Sequence, residues 1–330
     1  MGVLRIALLG YGTVGRALHE LLERNRSALA AKHDIRFMMS GIASRRIGWM
    51  ANEHGLDAQL GGGVACGDVH EWLATARPHV VFEAIALDPH TGEPALGYLA
   101  SALSFGAHAI SANKGPVVHG YRALSALAAD AGVAYRFESA VMDGAPLFSL
   151  VRHCLPLSGL TAVRGVFTST ATVVLEAVER GGTMADGVAH AQAQGIAEAD
   201  PSYDVDGWDS AVKLCAVANV LLDADLRPDD VVRTGIGGLS EHDIRVAHGE
   251  GAPWRLVGHV RRAGDGIVRA RVAPERLLPT DALGRVTGTT LVTQLESAMF
   301  PGGLIITSRD PDPATTAYGM LVDFVSVCGG

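Results

Sequence analysis

Two lysines and a run of carboxylates are the residues of this chain best suited to chemistry. Asp209 and Lys213 stand four positions apart, which on a helix puts both on one face. Lys213 lies in an otherwise apolar run, Ala211–Leu222, where an unpaired ammonium would be costly, and Asp209 is its local partner. A carboxylate–lysine pair in a cleft can relay a proton to a carbonyl that is being reduced by hydride. Glu198, Asp200, Asp204 and Asp206 precede the pair, and by themselves they read equally well as a solvated acidic turn. Lys114, in Ser111-Ala112-Asn113-Lys114-Gly115-Pro116, follows a strand C-terminus and so faces the crevice where α/β sheets bind ligands; a surface lysine is the equal alternative.

Gly10, Gly12 and Gly15 form a GxGxxG turn, with Thr13 and Val14 between the last two glycines. The first glycine permits the tight turn, the second lets backbone approach a pyrophosphate, and the third lets helix and strand pack closely. The apolar run of residues 3–9 precedes the turn, and Arg16–Arg24 follows with apolar residues at helical spacing. Strand, glycine turn and helix N-terminus together make a dinucleotide site. The second strand should end on an Asp or Glu in an NAD enzyme, but no acid occurs between Ile35 and Asn52. Ser44-Arg45-Arg46 stands there instead, a hydroxyl and two guanidinium groups suited to a 2′-phosphate, and NADP(H) is the expected cofactor.

The elements that must position these residues alternate. Strands are expected at Ile35–Ala43, His79–Ala86, Ala107–Ser111 and Ala134–Glu138, with helices at Val69–Ala76, Tyr98–Phe105 and Tyr121–Ala131. That order implies a doubly wound, largely parallel sheet. Past residue 140 the rhythm changes. A long strand is expected over Leu160–Thr172, then helices over Val173–Arg180, Met184–Gln194 and Trp208–Leu222. Strands follow at Ile267–Val272, Thr289–Ser297 and Gly303–Thr307, and a last helix at Ala314–Val327. The expected fold is α/β: a Rossmann-type nucleotide domain over 1–137, with 308–330 packing back on it, and an α+β catalytic and dimerisation domain over 138–307.

Composition narrows the classes. At 330 residues, 48% hydrophobic, the chain is long enough for two cores. A net charge of -8, with no basic run longer than Arg45-Arg46, argues against a nucleic-acid partner. No apolar stretch reaches the roughly 18 residues of a membrane helix, and the N-terminus lacks a leader-cleavage pattern, so a cytoplasmic protein without a membrane partner is expected. The four cysteines are scattered and the 13 histidines form no ligand cluster, which argues against a transition-metal centre.

Together the glycine loop, residues 111–116, Glu138–Pro146, Gly165–Thr172, Ala197–Lys213 and Thr316–Val325 resemble the homoserine dehydrogenases across nearly the whole chain. The resemblance implies reversible NADP(H)-dependent interconversion of L-aspartate 4-semialdehyde and L-homoserine, by a short form without a C-terminal regulatory domain. It implies that Lys213 and Lys114 are catalytic, with Lys213 as the proton donor and Lys114 also among the cofactor-binding residues. It assigns Glu198 and Asp209 to the amino-acid substrate, supported by Asp204, with Thr170 and Ser169 lining the pocket. It further implies a monovalent cation, Na+ or K+, near Glu138, Val141, Asp143 and Ala145, and a homodimer.

Three departures bear on substrate identity. The family's Asn-Gly-Thr-x-Asn stretch is Thr168-Ser169-Thr170-Ala171-Thr172, its tyrosine before the acidic motif is Ile196, and its C-terminal glycine-rich loop is Arg309-Asp310-Pro311-Asp312-Pro313. An NADP-dependent dehydrogenase of the same fold acting on another carbonyl, and an NADP-binding sensor with little catalysis, are the alternatives they leave open.

Overall fold

Short apolar runs broken by glycine turns form the strands of the first part of the chain in the computed structural model, which describes residues 2–197 and 200–329. Residues up to 146 carry β1 (Leu4–Leu9), α1 (Thr13–His33), β2 (Phe37–Ser44), β3 (Gly48–Ala51), β4 (Val64–Cys66), α2 (Val69–Ala76) and β5 (Val80–Glu83). They continue through α3 (Ala95–Ser104), β6 (His108–Ser111), α4 (Lys114–Asp130), β7 (Tyr135–Arg136) and α5 (Ser139–Met142). Leu147–Pro311 carries β8 (Leu160–Val166), α6 (Ser169–Glu179), α7 (Met184–Ala193), α8 (Ser202–Val205), α9 (Trp208–Leu221) and β9 (Val232–Arg233). It is completed by α10 (Glu241–Gly249), β10 (Trp254–Arg262), β11 (Val268–Arg276), β12 (Leu291–Ser297) and β13 (Leu304–Ser308), and α11 (Pro313–Cys328) closes the chain. The compact units are Met1–Pro146 with Asp312–Gly330, and Leu147–Pro311.

In the first unit the sheet order is β4-β3-β2-β1-β5-β6-β7. β2, β1, β5, β6 and β7 run parallel, while β3 and β4 add antiparallel strands at one edge. Alternate residues of β1 serve opposite faces, as the period of two demands. Ile6 and Leu8 join Leu18, Leu22 and Phe324 of α1 and α11, while Ala7 and Leu9 join Trp72 and Leu73 of α2. Phe324 stands edge-on to Phe37 and Phe82, with ring centroids 6.3 and 5.4 Å away, so the last helix is part of this core. The sequence put a boundary at residue 137, but α5 stays with the first unit. Ser139 Oγ donates to the Thr316 carbonyl (2.6 Å), and the Glu138 amide donates to Asp323 Oδ2 (2.8 Å).

The second unit holds a mixed sheet in the order β13-β12-β8-β10-β11-β9, antiparallel except where β9 meets β11. Gly165 and Gly258 face each other across β8 and β10, and the Phe167 ring lies where their side chains would be. Val166, Val257, Val286 and Val292 make a smaller core of their own. The strand expected over Leu160–Thr172 stops at Val166, and α6 begins at Ser169. Ser169-Thr170-Ala171-Thr172 looks extended by propensity, but Thr170 to Val174 are all buried beyond the last sheet pairing of β8 at Val166, and there a helix pairs their backbone groups. The expected strand over Ala134–Glu138 likewise shrinks to Tyr135–Arg136, because the turn into α5 begins at Glu138. The helix expected from Tyr121 starts seven residues earlier, at Lys114.

Candidate functional site

Each glycine of the GxGxxG turn has its own physical reason. Gly10 has φ +96°, and a Cβ on it would lie 2.4 Å from the Ala84 carbonyl oxygen. A Cβ on Gly15 would lie 2.1 Å from the Gly10 carbonyl oxygen, so α1 could not approach β1. Gly12 differs, because a Cβ there would meet nothing within 4 Å. Its missing side chain is not demanded by the protein's own packing, which leaves room for a ligand. Gly12 caps α1 without any side-chain hydrogen bond, so Thr13, Val14 and Gly15 offer first-turn amides that the helix itself cannot satisfy. No acid occupies that turn to compete with an anion. The turn lies at the β1/β5 switch point, where strand order reverses and open α/β sheets bind nucleotides. These features fit a dinucleotide pyrophosphate.

Ser44 ends β2, and Arg45, Arg46 and Ile47 form the tight connection to β3. Ser44 Oγ accepts the Ile47 amide (3.1 Å), which closes the turn and leaves the hydroxyl proton free to donate outward. Both arginines are exposed.

Lys114 is the first residue of α4 and is half-buried. A cation at a helix N-terminus is opposed by the helix dipole. Asn113 caps the helix by accepting the Gly115 amide (3.0 Å). Behind it lies a group that sequence reasoning missed. Glu83, at the end of β5, is fully buried. Ser111 Oγ donates to its Oε2 (2.5 Å), while the Ile85 amide (2.8 Å) and Asn113 Nδ2 (3.4 Å) donate to its Oε1. Burial pushes this carboxyl above the ordinary glutamate range, and the three hydrogen bonds only partly offset that. The available signal was an acid closing the apolar run Val80–Glu83, where pattern alone wants a hydrophobe.

Glu138, Val141, Asp143 and Ala145 share one turn. Glu138 precedes the short α5, and Asp143 ends it in the left-handed region, φ +48°. Among the described residues, no backbone hydrogen bond outside the helices ends on the carbonyls of Val141, Asp143 or Ala145.

In the second unit α9 is buried from Asp209 through Asn219. Lys213 Nζ lies 3.2 Å from Asp209 Oδ2 and donates to the Phe167 carbonyl (2.7 Å). Phe167 adjoins Thr168, the N-cap of α6, so one ammonium holds the α6 entry to the first turn of α9. Thr170 Oγ1 donates to Asp204 Oδ2 (2.9 Å), linking α6 to α8. Arg233 stacks over the Trp208 ring at 3.7 Å and donates to the Asp206 carbonyl (2.5 Å), which secures the turn before α9. Lys213, Asp209, Thr170 and Asp204 are thus gathered around the entries of two helices. Ser169, half-buried, opens α6 beside them. Asp200 turns instead onto its own loop, where hydrogen bonds from Ser202 hold its carboxyl below the usual range. Glu198 lies outside the described residues. Among the described residues no cluster of His, Cys, Asp and Glu could hold a metal ion, and no helix is long and apolar enough to cross a membrane.

Both halves match known families. The homoserine dehydrogenase family model covers residues 146–325, and the homoserine dehydrogenase NAD-binding domain model covers 10–138. The chain is 33% identical to a protein of Pseudomonas canavaninivorans named NAD(+)-dependent homoserine dehydrogenase, with 98% of this chain and 96% of that one covered. It is 29% identical to a homoserine dehydrogenase of Sulfurisphaera tokodaii, with 98% of each chain covered. The crystal structure of a homoserine dehydrogenase from Thiobacillus denitrificans superposes with a TM-score of 0.83 at 25% identity, covering 99% of this chain and 74% of that one. A glycine turn open to a nucleotide, a lysine–aspartate pair at the helix entries of the second unit, and family matches over both place the chain in the homoserine dehydrogenase family of NAD(P)-dependent oxidoreductases acting on a CH–OH group.

Proposed function

We propose that this homoserine dehydrogenase works with NADP(H), reducing L-aspartate 4-semialdehyde to L-homoserine and catalysing the reverse reaction. When bound, the nicotinamide cofactor gives or takes the hydride. Lys213 supplies the proton to the carbonyl oxygen as it becomes an alkoxide, and Lys114 stabilises the developing negative charge. Asp209 orients the Lys213 ammonium, and with Glu198 and Asp204 it offers carboxylates to the substrate's amino group. Thr170 holds Asp204 in place, and Ser169 lines the same region. The observation that carries this reading is the buried Lys213–Asp209 pair at 3.2 Å, whose ammonium is supported by a carbonyl rather than surrounded by water.

The NADP(H) preference rests on Arg45 and Arg46 at the β2–β3 turn and on the lack of any acid between Ile35 and Asn52. The name of the Pseudomonas canavaninivorans relative favours a second reading, with NAD(H) as cofactor. Initial rates with NADPH and with NADH, each against aspartate 4-semialdehyde, separate the two. A higher kcat/KM with NADPH supports the first reading and a higher value with NADH the second. No oxidation or reduction with either cofactor would reject the assignment of substrate.

Two further parts belong to this reading. The backbone turn from Glu138 through Val141, Asp143 and Ala145, where the last three carbonyls accept no backbone hydrogen bond outside the helices among the described residues, suits Na+ or K+, which prefer oxygen ligands. A homodimer is supported by the open edge of β13, where Ile305 is exposed. Rates measured in sodium, potassium and tetramethylammonium salts, and mass by light scattering, test these.

A further inference from the structure

Glu83 is a buried carboxyl to which the mechanism above gives no task. Taking such a group from water is expensive, and an apolar side chain of similar size at the end of β5 would serve the core at less cost. Its hydrogen bonds show what it does instead. Two loops leave the C-terminal edge of the parallel strands here, one after β5 and one after β6. The first contains Ile85, whose amide donates to Glu83 Oε1 (2.8 Å). The second contains Asn113, whose Nδ2 reaches the same oxygen (3.4 Å). The other carboxyl oxygen takes the Ser111 hydroxyl (2.5 Å), and Ser111 Oγ in turn accepts the Asn113 amide (3.0 Å). One carboxyl therefore ties both loops to the sheet.

The loops also touch farther out. Gly92 has φ +73°, and a Cβ on it would lie 2.9 Å from the Gly115 carbonyl carbon. His119 Nε2 lies 2.9 Å from the Pro89 carbonyl oxygen. Asp88 accepts the His90 and Thr91 amides (2.9 and 2.8 Å), which stiffens the loop between. Lys114 sits between these two sets of contacts, its backbone fixed on one side by Glu83 through Asn113 and on the other by Gly92 against Gly115.

We propose that Glu83 is the positioning residue for Lys114, holding the Ser111–Lys114 turn in register with the loop after β5 by hydrogen bonding alone. The proposal rests on the assignment of Lys114 to the reaction. It distinguishes Glu83 from a core residue, because removing a core residue lowers stability without selectively lowering kcat.

The experiment compares Glu83→Ala, Glu83→Gln, Asn113→Ala and Lys114→Met, each checked for folding, with NADPH affinity measured by fluorescence titration. Misplacing a catalytic group by about 1 Å costs about 10²-fold in rate, so Glu83→Ala is expected to lose kcat on that scale while NADPH affinity changes far less. Gln keeps an Oε1 acceptor and can donate to Ser111, so Glu83→Gln should recover most of that loss. Asn113→Ala should reproduce part of it, and the double variant with Glu83→Ala should lose less than the product of the single losses. Full kcat in folded Glu83→Ala, or a Gln variant as impaired as the Ala variant, overturns the proposal. Should Glu83→Ala not fold, full kcat in Asn113→Ala overturns it equally. Full kcat in Lys114→Met would instead remove Lys114 from the reaction, a failure of the underlying assignment that this variant identifies separately.

Discussion

Lys213 and Asp209 form an ion pair at 3.2 Å in which both side chains are nearly buried, and the ammonium also donates to the Phe167 carbonyl. Replacing Lys213 with Met therefore has two effects. The buried Asp209 carboxylate loses its cationic partner, which costs about 3–5 kcal/mol of stability. The proton donor is also lost, so turnover of the folded variant should fall about 10²–10⁴-fold. Urea denaturation and steady-state rates measure the two separately. A folded Lys213→Met enzyme turning over near the normal rate removes this lysine from the mechanism.

Thr170 and Asp204 provide a subtler test, because their contact joins α6 to α8 without involving either lysine. Thr170→Val keeps the shape and deletes the hydroxyl. A hydrogen bond to a charged group is worth about 1.5–3 kcal/mol, so KM for homoserine should rise about ten- to a hundredfold. The effect on kcat should be smaller. An unchanged KM would show that Asp204 does not meet the substrate.

The glycine turn separates packing from ligand binding. Gly15→Ala forces a methyl against the Gly10 carbonyl and should cost about 1–3 kcal/mol of stability. Gly12→Ala meets no protein atom, so its cost is limited to a poorer helix cap, about 1 kcal/mol. That variant should nevertheless bind the cofactor at least tenfold more weakly, about 1.4 kcal/mol, because the methyl enters the space left for the pyrophosphate. Normal cofactor titration of Gly12→Ala would place the dinucleotide elsewhere.

Replacing Arg45 and Arg46 together with Ala tests the cofactor preference. Charge-assisted hydrogen bonds to a 2′-phosphate are worth about 1.5–3 kcal/mol each, so NADP affinity should drop at least tenfold. NAD affinity should hardly change. Equal losses for both cofactors would reject a role in reading the 2′-phosphate.

Glu83 gives stability a pH dependence of known sign. Its carboxyl titrates above the ordinary value of 4.5 when folded, because burial disfavours the charged form. Between those two values the folded protein holds more protons than the unfolded one, so stability falls as pH rises through that window. Glu83→Gln cannot titrate and should show a flatter stability–pH profile on the alkaline side of 4.5. Profiles of equal slope for the two proteins would mean that Glu83 does not titrate as described.

Local pattern was enough for the nucleotide half of this protein. A strand, a glycine turn and a helix within the first 33 residues depend on neighbours in sequence, and the role of Gly15 follows from the Gly10 carbonyl a few residues away, although Gly10 itself also answers to Ala84, just past β5. The Asp209–Lys213 pair was also legible, because helical spacing alone puts both side chains on one face. What lay beyond reach depended on contacts distant in sequence. Ser169–Thr172 has a β-like composition, yet burial made it the first turn of α6, which brings Thr170 to Asp204 and the Phe167 carbonyl to Lys213. Local propensity is weak beside the requirement that buried backbone be paired. Glu83 and Asn113 are 30 residues apart, and only the parallel register of β5 and β6 makes them neighbours. Sequence determined most of the elements and most of the residues able to do chemistry, whereas the tertiary structure decided the form of Ser169–Thr172, the burial of Glu83 and which residues meet, because strand register and helix entry are set by long-range packing.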